Sequence, residues 1–330
     1  MASLIGRLPL RVGRTLNFAF FLFFSFSLYN STYAADPYAI VLGTAQDGGF
    51  PQAGCSKKCC ATAWKDITKR RFVSCVAIVD PDSGQRWMLD CTPDFRDQLR
   101  LLDQAQPKRP DGPLLDGIFP THAHVGHYTG LMMLGREVLG AQSVLVYAMP
   151  KMKYFLESNG PWSQLVKLNQ IDVKRLAAGQ ESRLNERLSI TPFLVPHRDE
   201  FSETVGFIVT GPHAKLAYLP DIDKWERWEV KIESLIADVD HALLDGTFFD
   251  SDELPGRDMS EIPHPFVQES LGRFATLEST ERQKVQFIHL NHSNPLLHAK
   301  SDARATVQNA GCRLARQWNP GTPQLARIRL

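Results

Sequence analysis

Three histidines fall within six residues at His122-Ala123-His124-Val125-Gly126-His127. Neutral imidazole is the commonest protein ligand for zinc and also suits iron, copper and nickel. On a turn, three rings spaced this way can be aimed at one point. A solvated histidine-rich loop is the plainer alternative. Three further groups follow apolar stretches later in the chain: His197 after Leu194-Val195-Pro196, Asp221 after Tyr218-Leu219-Pro220, and His289 after Val285-Gln286-Phe287-Ile288. Taken singly, His197 and Asp221 would read as surface residues or caps. A catalytic metal, however, needs donors converging from separate strand ends with a position left open for water. The order of these six residues supplies that set. The expected chemistry is hydrolysis: a metal makes hydroxide from a bound water near neutral pH, and that hydroxide attacks an ester, phosphodiester or amide. One or two zinc ions would serve, and manganese or iron also suit the site.

The elements that must position these groups are strands ending in loops. Tyr38 to Gly43 reads as a buried strand running into the Gly-rich loop Gln46-Asp47-Gly48-Gly49-Phe50-Pro51. Ser74–Val79 and Arg86–Asp90 are joined by the turn Asp80-Pro81-Asp82-Ser83-Gly84. Pro93-Asp94-Phe95 opens an amphipathic helix through Leu102. Asp116–Phe119 is a strand entering the histidine turn, Tyr128 to Leu139 reads as helix, and Ser143 to Tyr147 as strand. Residues 149–186 read as a mostly helical cap over the active-site face. Strand signals return at Ser189–Leu194, Gly206–Val209, Lys215–Leu219, Ala242–Asp245 and Val285–His289, with a helix at Val267–Thr276. The two halves share a plan of several strands followed by helices. This predicts an α/β (α+β) protein built as a four-layer αββα sandwich, two sheets face to face with helices outside.

The ligand order resembles the metallo-β-lactamase superfamily, whose motif is HxHxDH on a strand-to-helix turn, followed by a lone His, a bridging Asp and a last His. Those positions match His122, His124, His127, His197, Asp221 and His289. The resemblance runs over most of residues 37–330 and implies the αββα fold and a mono- or dinuclear metal centre at one edge of the sandwich. The chain departs from the motif at Gly126, where the family has the Asp that ligates the second metal and helps to orient the attacking water. One site keeps His122, His124 and His197, with Asp221 able to bridge. The other retains His127, Asp221 and His289 and is short of a ligand unless another residue supplies it. Asp90, ending Trp87-Met88-Leu89, matches the family's strand-ending Asp, which would fix the histidine turn by hydrogen bonds.

A narrower resemblance is to coenzyme PQQ synthesis protein B (PqqB). It rests on Leu42-Gly43-Thr44-Ala45 through Gln52, Pro93-Asp94-Phe95-Arg96-Asp97-Gln98-Leu99, Leu244-Asp245-Gly246-Thr247, Gly256-Arg257-Asp258-Met259 and His289-Leu290-Asn291-His292-Ser293-Asn294-Pro295. The phosphodiesterase of the carbon–phosphorus lyase pathway has a similar early Cys cluster. In these relatives a short Cys cluster and a His three residues after the last catalytic His hold a structural zinc. The resemblance therefore implies a zinc held by Cys55, Cys60 and His292, with Cys59 standing in for the family's middle Cys, which falls at Lys57. The competing reading of these cysteines is oxidative, a disulfide of Cys55 with Cys59 or Cys60. Cys75 and Cys91 read as small core residues, and Cys312 has no evident partner. The phosphodiesterase also has a His near its substrate at a place comparable to His264, which implies a general acid or substrate contact there. Asp245 either orients a metal-binding His or caps a turn.

Composition limits the remaining choices. The chain has 330 residues, 43% of them hydrophobic and 22% charged, with 37 basic and 36 acidic residues. That is globular, and it gives no electrostatic case for a nucleic-acid partner. Residues 1–34 carry three Arg, no Asp or Glu, the apolar run Leu16–Tyr29 and a small-residue site at Thr32-Tyr33-Ala34. This is the pattern of a secretory signal peptide; an uncleaved anchor or a buried helix are the other readings. Cleavage would leave residues 35–330, with 34 basic against 36 acidic residues, as one exported domain, periplasmic or secreted, without stable membrane insertion. The partner expected is a small-molecule substrate, and a homodimer is compatible with the sequence. Three functions are carried forward: a metal-dependent hydrolase; a PqqB-like protein in PQQ biosynthesis or handling, with redox chemistry at a single iron; and a non-catalytic metal-binding protein.

Overall fold

Apolar strands that are buried along their whole length need cover on both faces, and the sandwich gives it. The computed structural model describes residues 35–321 and 327–330, so the signal-peptide expectation for residues 1–34 lies outside the described residues. The first sheet holds β1 (Tyr38–Gly43), β2 (Cys75–Asp80), β3 (Gln85–Leu89), β4 (Gly117–Phe119), β5 (Val144–Ala148) and β6 (Ile171–Arg175). The second holds β7 (Ser182–Arg183), β8 (Ser189–Leu194), β9 (Val205–Thr210), β10 (Lys215–Leu219), β11 (His241–Asp245), β12 (Val285–Ile288) and β13 (Arg313–Leu314). A last strand, β14 (Arg327–Arg329), pairs with β1 at the edge of the first sheet. Each sheet is antiparallel over its first members and parallel over its last: β3 to β6 in one, β10 to β13 in the other.

Period-two alternation divides the strand residues between layers. Ala39, Val41, Val76, Ile78, Trp87 and Phe119 face Ile190, Phe207, Val209, Leu216 and Tyr218 of the other sheet in the central core. Their neighbours Ile40, Leu42, Ala77 and Met88 face outward, where the helix Phe95–Ala105 covers them with Phe95 and Leu102. On the far side Ala217, Leu219, Leu244 and Phe287 are covered by Ile232, Leu235 and Ile236 of one helix and Val267, Leu271 and Phe274 of another. These layers realise the expected αββα class. No helix among the described residues is long and apolar enough to cross a membrane.

Two segments differ from the sequence reading. Residues 149–186 begin with the helices Pro150–Ser158 and Trp162–Lys167, but then supply the strands β6 and β7, so this stretch is only partly a helical cap. Alternation in Ile171-Asp172-Val173 is too short to stand out in sequence. The expected helix from Tyr128 to Leu139 is a helical turn, Val125–Tyr128, followed by a 3-10 segment, Thr129–Leu134. Within it Gly130 lies against the Thr92 carbonyl oxygen, 2.1 Å from where a Cβ would stand, so no larger residue fits there.

Candidate metal centre

Parallel strands bring their carboxyl ends to one edge, and the loops leaving that edge form a natural crevice. In the registers Leu89↔Phe119, Leu219↔Leu244 and Asp245↔Ile288 the strand ends lie level with one another. Asp90, His122, Asp221, Asp245 and His289 therefore leave the sheets at one place. Asp90 and His289 both adopt positive φ, 66° and 64°, a conformation that side chains other than Gly adopt at a cost. Buried hydrogen bonds hold both.

Those bonds orient the histidine rings. Asp90 accepts from Thr121 N at 2.8 Å and Thr121 Oγ1 at 2.9 Å, which fixes the turn, and from His127 Nδ1 at 2.8 Å and Tyr218 OH at 2.9 Å. Thr121 Oγ1 lies 2.9 Å from His122 Nδ1, and Thr247 Oγ1 lies 2.9 Å from His289 Nδ1. With the outer nitrogens engaged, His122, His127 and His289 turn Nε2 inward. His124 is reversed: Nε2 pairs with Glu200 at 2.9 Å, and Nδ1 faces His122 Nε2 at 2.8 Å. Glu200 sits in a loop braced by Glu203, whose carboxylate accepts from the Lys151 and Met152 backbone at the start of the helix Pro150–Ser158.

The inward atoms form two adjoining groups. One is His122, His124 and His197. The other is His127 and His289 with Asp221, whose Oδ2 lies 2.9 Å from His127 Nε2, 3.3 Å from His289 Nε2 and 3.8 Å from His122 Nε2. Asp221 thus stands between the groups, with Oδ1 turned toward His197 at 4.0 Å. All six expected residues come together. A seventh, Asp47 from the loop after β1, was not singled out from sequence. Its Oδ1 lies 3.3 Å from His127 Nε2 and 3.7 Å from His289 Nε2. The signal for it was the vacancy at Gly126: the question of what fills that space leads to Asp47.

A bound cation fits this arrangement on its chemistry. Asp47 Oδ1, His127 Nε2, His197 Nε2, Asp221 Oδ2 and His289 Nε2 are all buried and none makes a hydrogen bond of good geometry, even where Asp221 Oδ2 and His127 Nε2 are 2.9 Å apart, an expensive state unless something else satisfies them. Burial, with His127 alongside, holds His122 well below the usual histidine range, and burial lowers His197 to about 4, so both are neutral ligands near neutral pH. Burial opposes the charge on Asp221, but His289 and His127 outweigh it and keep the carboxylate ionised. Burial likewise opposes the His127 cation, but Asp90 and Asp221 outweigh it; a metal at Nε2 would replace that proton.

His264 also reaches the centre. Its Nδ1 lies 2.7 Å from Asp245 Oδ2 and 3.6 Å from Asp221 Oδ1, and its ring centroid is 5.2 Å from that of His197. Asp245 supports the site by a route the sequence left open: it holds His264 directly and accepts from Thr247 Oγ1, which touches His289.

The cysteine cluster lies beside the centre, joined to it through His292, three residues beyond His289. Cys55 Sγ and Cys59 Sγ are 3.8 Å apart, and His292 Nδ1 is 3.6 Å from Cys59 Sγ and 3.4 Å from Cys60 Sγ. A tetrahedral zinc, with bonds of about 2.3 Å to sulfur and 2.0–2.1 Å to nitrogen, places its sulfurs roughly 3.8 Å apart and sulfur and nitrogen roughly 3.6 Å apart. The four side chains fit that geometry. All six cysteines are free thiols, and the 3.8 Å separation is nearly twice a disulfide bond. Cys75 and Cys91 are buried in the core, as expected, and Cys312 is buried beneath the helices of the second sheet.

Comparison with known proteins agrees with this fold. A family model described as the beta-lactamase superfamily domain matches residues 85–290. The coenzyme PQQ synthesis protein B of Methylorubrum extorquens (strain PA1) is 27% identical over 305 residues, covering 84% of this chain and 97% of the relative. Among solved structures, the zinc-bound PqqB from Methylobacterium extorquens superposes with a TM-score of 0.73 at 24% identity, over 89% of this chain and 100% of that one. A diphosphatase from the PhnP family superposes with a TM-score of 0.61 at 21% identity, over 86% and 96%.

Proposed function

The chain belongs to the beta-lactamase superfamily, and from that premise we propose that it is a metal-dependent hydrolase cleaving an ester or phosphodiester-type bond in a small molecule. The observation that carries this reading is the convergence of buried, unpartnered nitrogen and carboxylate atoms at the strand ends. His122, His124 and His197 would hold one cation, and His127, Asp221 and His289 would contribute to a second. What a divalent cation supplies there is Lewis acidity, a more acidic water and a more electrophilic substrate. The chain does the rest. Asp221 faces both groups and, held ionised, can orient the attacking water by accepting a hydrogen bond from it. Burial opposes the charged form of His264, but Asp245 and Asp221 outweigh it and raise its pKa above the ordinary histidine value, so His264 is suited to give a proton to the leaving oxygen. The Cys55, Cys59, Cys60 and His292 cluster would hold a structural zinc away from the reaction. Export, with cleavage after Ala34, completes the proposal.

The test is metal content per chain of the mature protein together with turnover of phosphodiester and lactone substrates. Zinc or manganese at the histidine turn, with turnover abolished in His124→Ala, supports the hydrolase. The match to PqqB over most of the chain favours a second reading, a role in PQQ biosynthesis or handling with redox chemistry at a single iron. Iron at the three-histidine group with oxygen consumption and no hydrolysis would select it. No metal at the histidine turn would overturn both, and metal there without turnover or oxygen consumption would leave a non-catalytic metal-binding protein.

A further inference from the structure

We infer that Asp47 replaces the carboxylate missing at Gly126, so that Asp47, His127, Asp221 and His289 form a second cation site of two nitrogens and two carboxylates. This deepens the hydrolase reading and rests on it. A Cβ built on Gly126 would lie 2.0 Å from Asp47 Oδ1, 2.8 Å from Asp47 Cγ and 2.8 Å from Asp47 Cα. Non-bonded contacts of a Cβ are essentially never that short, so the Asp47 carboxylate occupies the volume into which a side chain at position 126 would project. The glycine is required by close approach rather than by a left-handed backbone. Residues 47 and 126 are thus two alternative sources of one carboxylate, and only one can be present.

The replacement is firmly held. Gln46 N donates to Leu290 O at 2.9 Å and Leu290 N donates to Thr44 O at 2.8 Å, which ties the Asp47 loop to the residue after His289. Ala45 also bridges Val73 and Leu290. Asp47 Oδ1, His127 Nε2 and His289 Nε2 lie within 4.8 Å of one another, and none makes a hydrogen bond of good geometry. His127 Nδ1 is engaged by Asp90, so the nitrogen facing the two carboxylates is free to ligate. Two carboxylates make this a harder site than the neighbouring three-histidine group, suited to manganese or another oxygen-preferring cation.

The experiment counts manganese. Mn(II) prefers oxygen and nitrogen to thiolates and avoids the cysteine cluster. The mature protein, demetallated at the histidine centre, is titrated with Mn(II) while electron paramagnetic resonance follows the free ion. Two equivalents are expected for wild type. Asp47→Ala should bind one, with its second equivalent weakened more than tenfold. Asp47→Asn, which keeps the side-chain volume, should also lose affinity at the second equivalent, and guards against a packing defect in the alanine variant. Gly126→Asp alone should lose the second equivalent through collision, and Asp47→Gly combined with Gly126→Asp should regain it. Two unweakened equivalents in both Asp47 variants, or only one in wild type, would overturn the inference while leaving the hydrolase reading intact. No manganese in wild type at all would overturn the inference, and the hydrolase reading would then be decided by the zinc content of the histidine turn.

Discussion

Replacing Asp90 by asparagine should move a proton on a different residue. The Asp90 carboxylate is fully buried and accepts two bonds from Thr121, one from His127 Nδ1 and one from Tyr218 OH. Asparagine is nearly isosteric and tolerates the φ of 66°. It has one acceptor oxygen in place of two. If that oxygen stays with Thr121, the amide nitrogen faces Tyr218 and His127. Tyr218 can adapt, because Ser74 Oγ at 3.1 Å can take its hydroxyl proton. His127 can adapt only by carrying its proton on Nε2, the atom that faces Asp47 and Asp221. If the amide is reversed, the Thr121 backbone N–H meets an amide N–H and cannot adapt. A buried donor left unpaired costs about 1–3 kcal/mol, and a lost bond to a charged group about 1.5–3 kcal/mol. The net loss should be about 3 kcal/mol, which lowers the melting temperature by roughly 5 °C in a domain of about 300 residues. Metal affinity at the His127 group should fall about 10–100-fold, as when an orienting partner is removed from a ligating histidine. Calorimetry and a competitive chelator titration measure the two effects. An asparagine variant that melts within about 1 °C of wild type and holds metal equally well would refute the idea that Asp90 sets the His127 tautomer.

Glu253 gives a pH signature. Burial raises its pKa from 4.5 to about 7, only partly offset by bonds from Phe249 N and Ser293. Between those values the folded state holds a proton that the unfolded chain has lost, so stability falls as pH rises through this window, by up to about 3 kcal/mol, and levels off above it. Denaturant titrations of Glu253→Gln should show a flatter profile and a gain over wild type on the alkaline side; an unchanged slope would count against the assignment. Cys60→Ser should lose one zinc per chain by elemental analysis and unfold at lower temperature, and a variant retaining full zinc would exclude Cys60 as a ligand. His264→Gln should lower turnover about 10²–10⁴-fold for substrates with poor leaving groups, and much less for p-nitrophenyl esters, with metal content unchanged. An equal loss for both substrate types would assign His264 to binding instead.

Much of the centre was legible because metal ligands must follow strand ends, and apolar runs that end in an isolated His or Asp are visible in a single sequence. His122, His197, Asp221 and His289 announce themselves this way. Asp47 does not, because its loop is glycine-rich and its partners lie about eighty and more than two hundred residues away; only the three-dimensional overlap with position 126 links them. Glu200 and Tyr218 escaped for a similar reason. Glu200 touches the His124 ring and Tyr218 donates to Asp90, which holds the His127 ring, and nothing in the local pattern of either segment records those contacts. The strand β6 was hidden behind two helices and β13 in two residues, too few for periodicity to show.

The backbone bonds between Thr44, Gln46 and Leu290 have a further consequence. Segments 44–60 and 289–292 are joined twice more, where Asp47 meets His289 and where Cys55, Cys59 and Cys60 meet His292. Cations at the two places would therefore clamp the same pair of segments. Whatever one contributes to holding them together is ordering that the other no longer has to supply, and linkage makes that help mutual. A zinc at the cysteine cluster, with four protein ligands and so no open position for a substrate, would act as a reserve of affinity for the reactive centre. Stripping it would empty a site whose own ligands had not been touched.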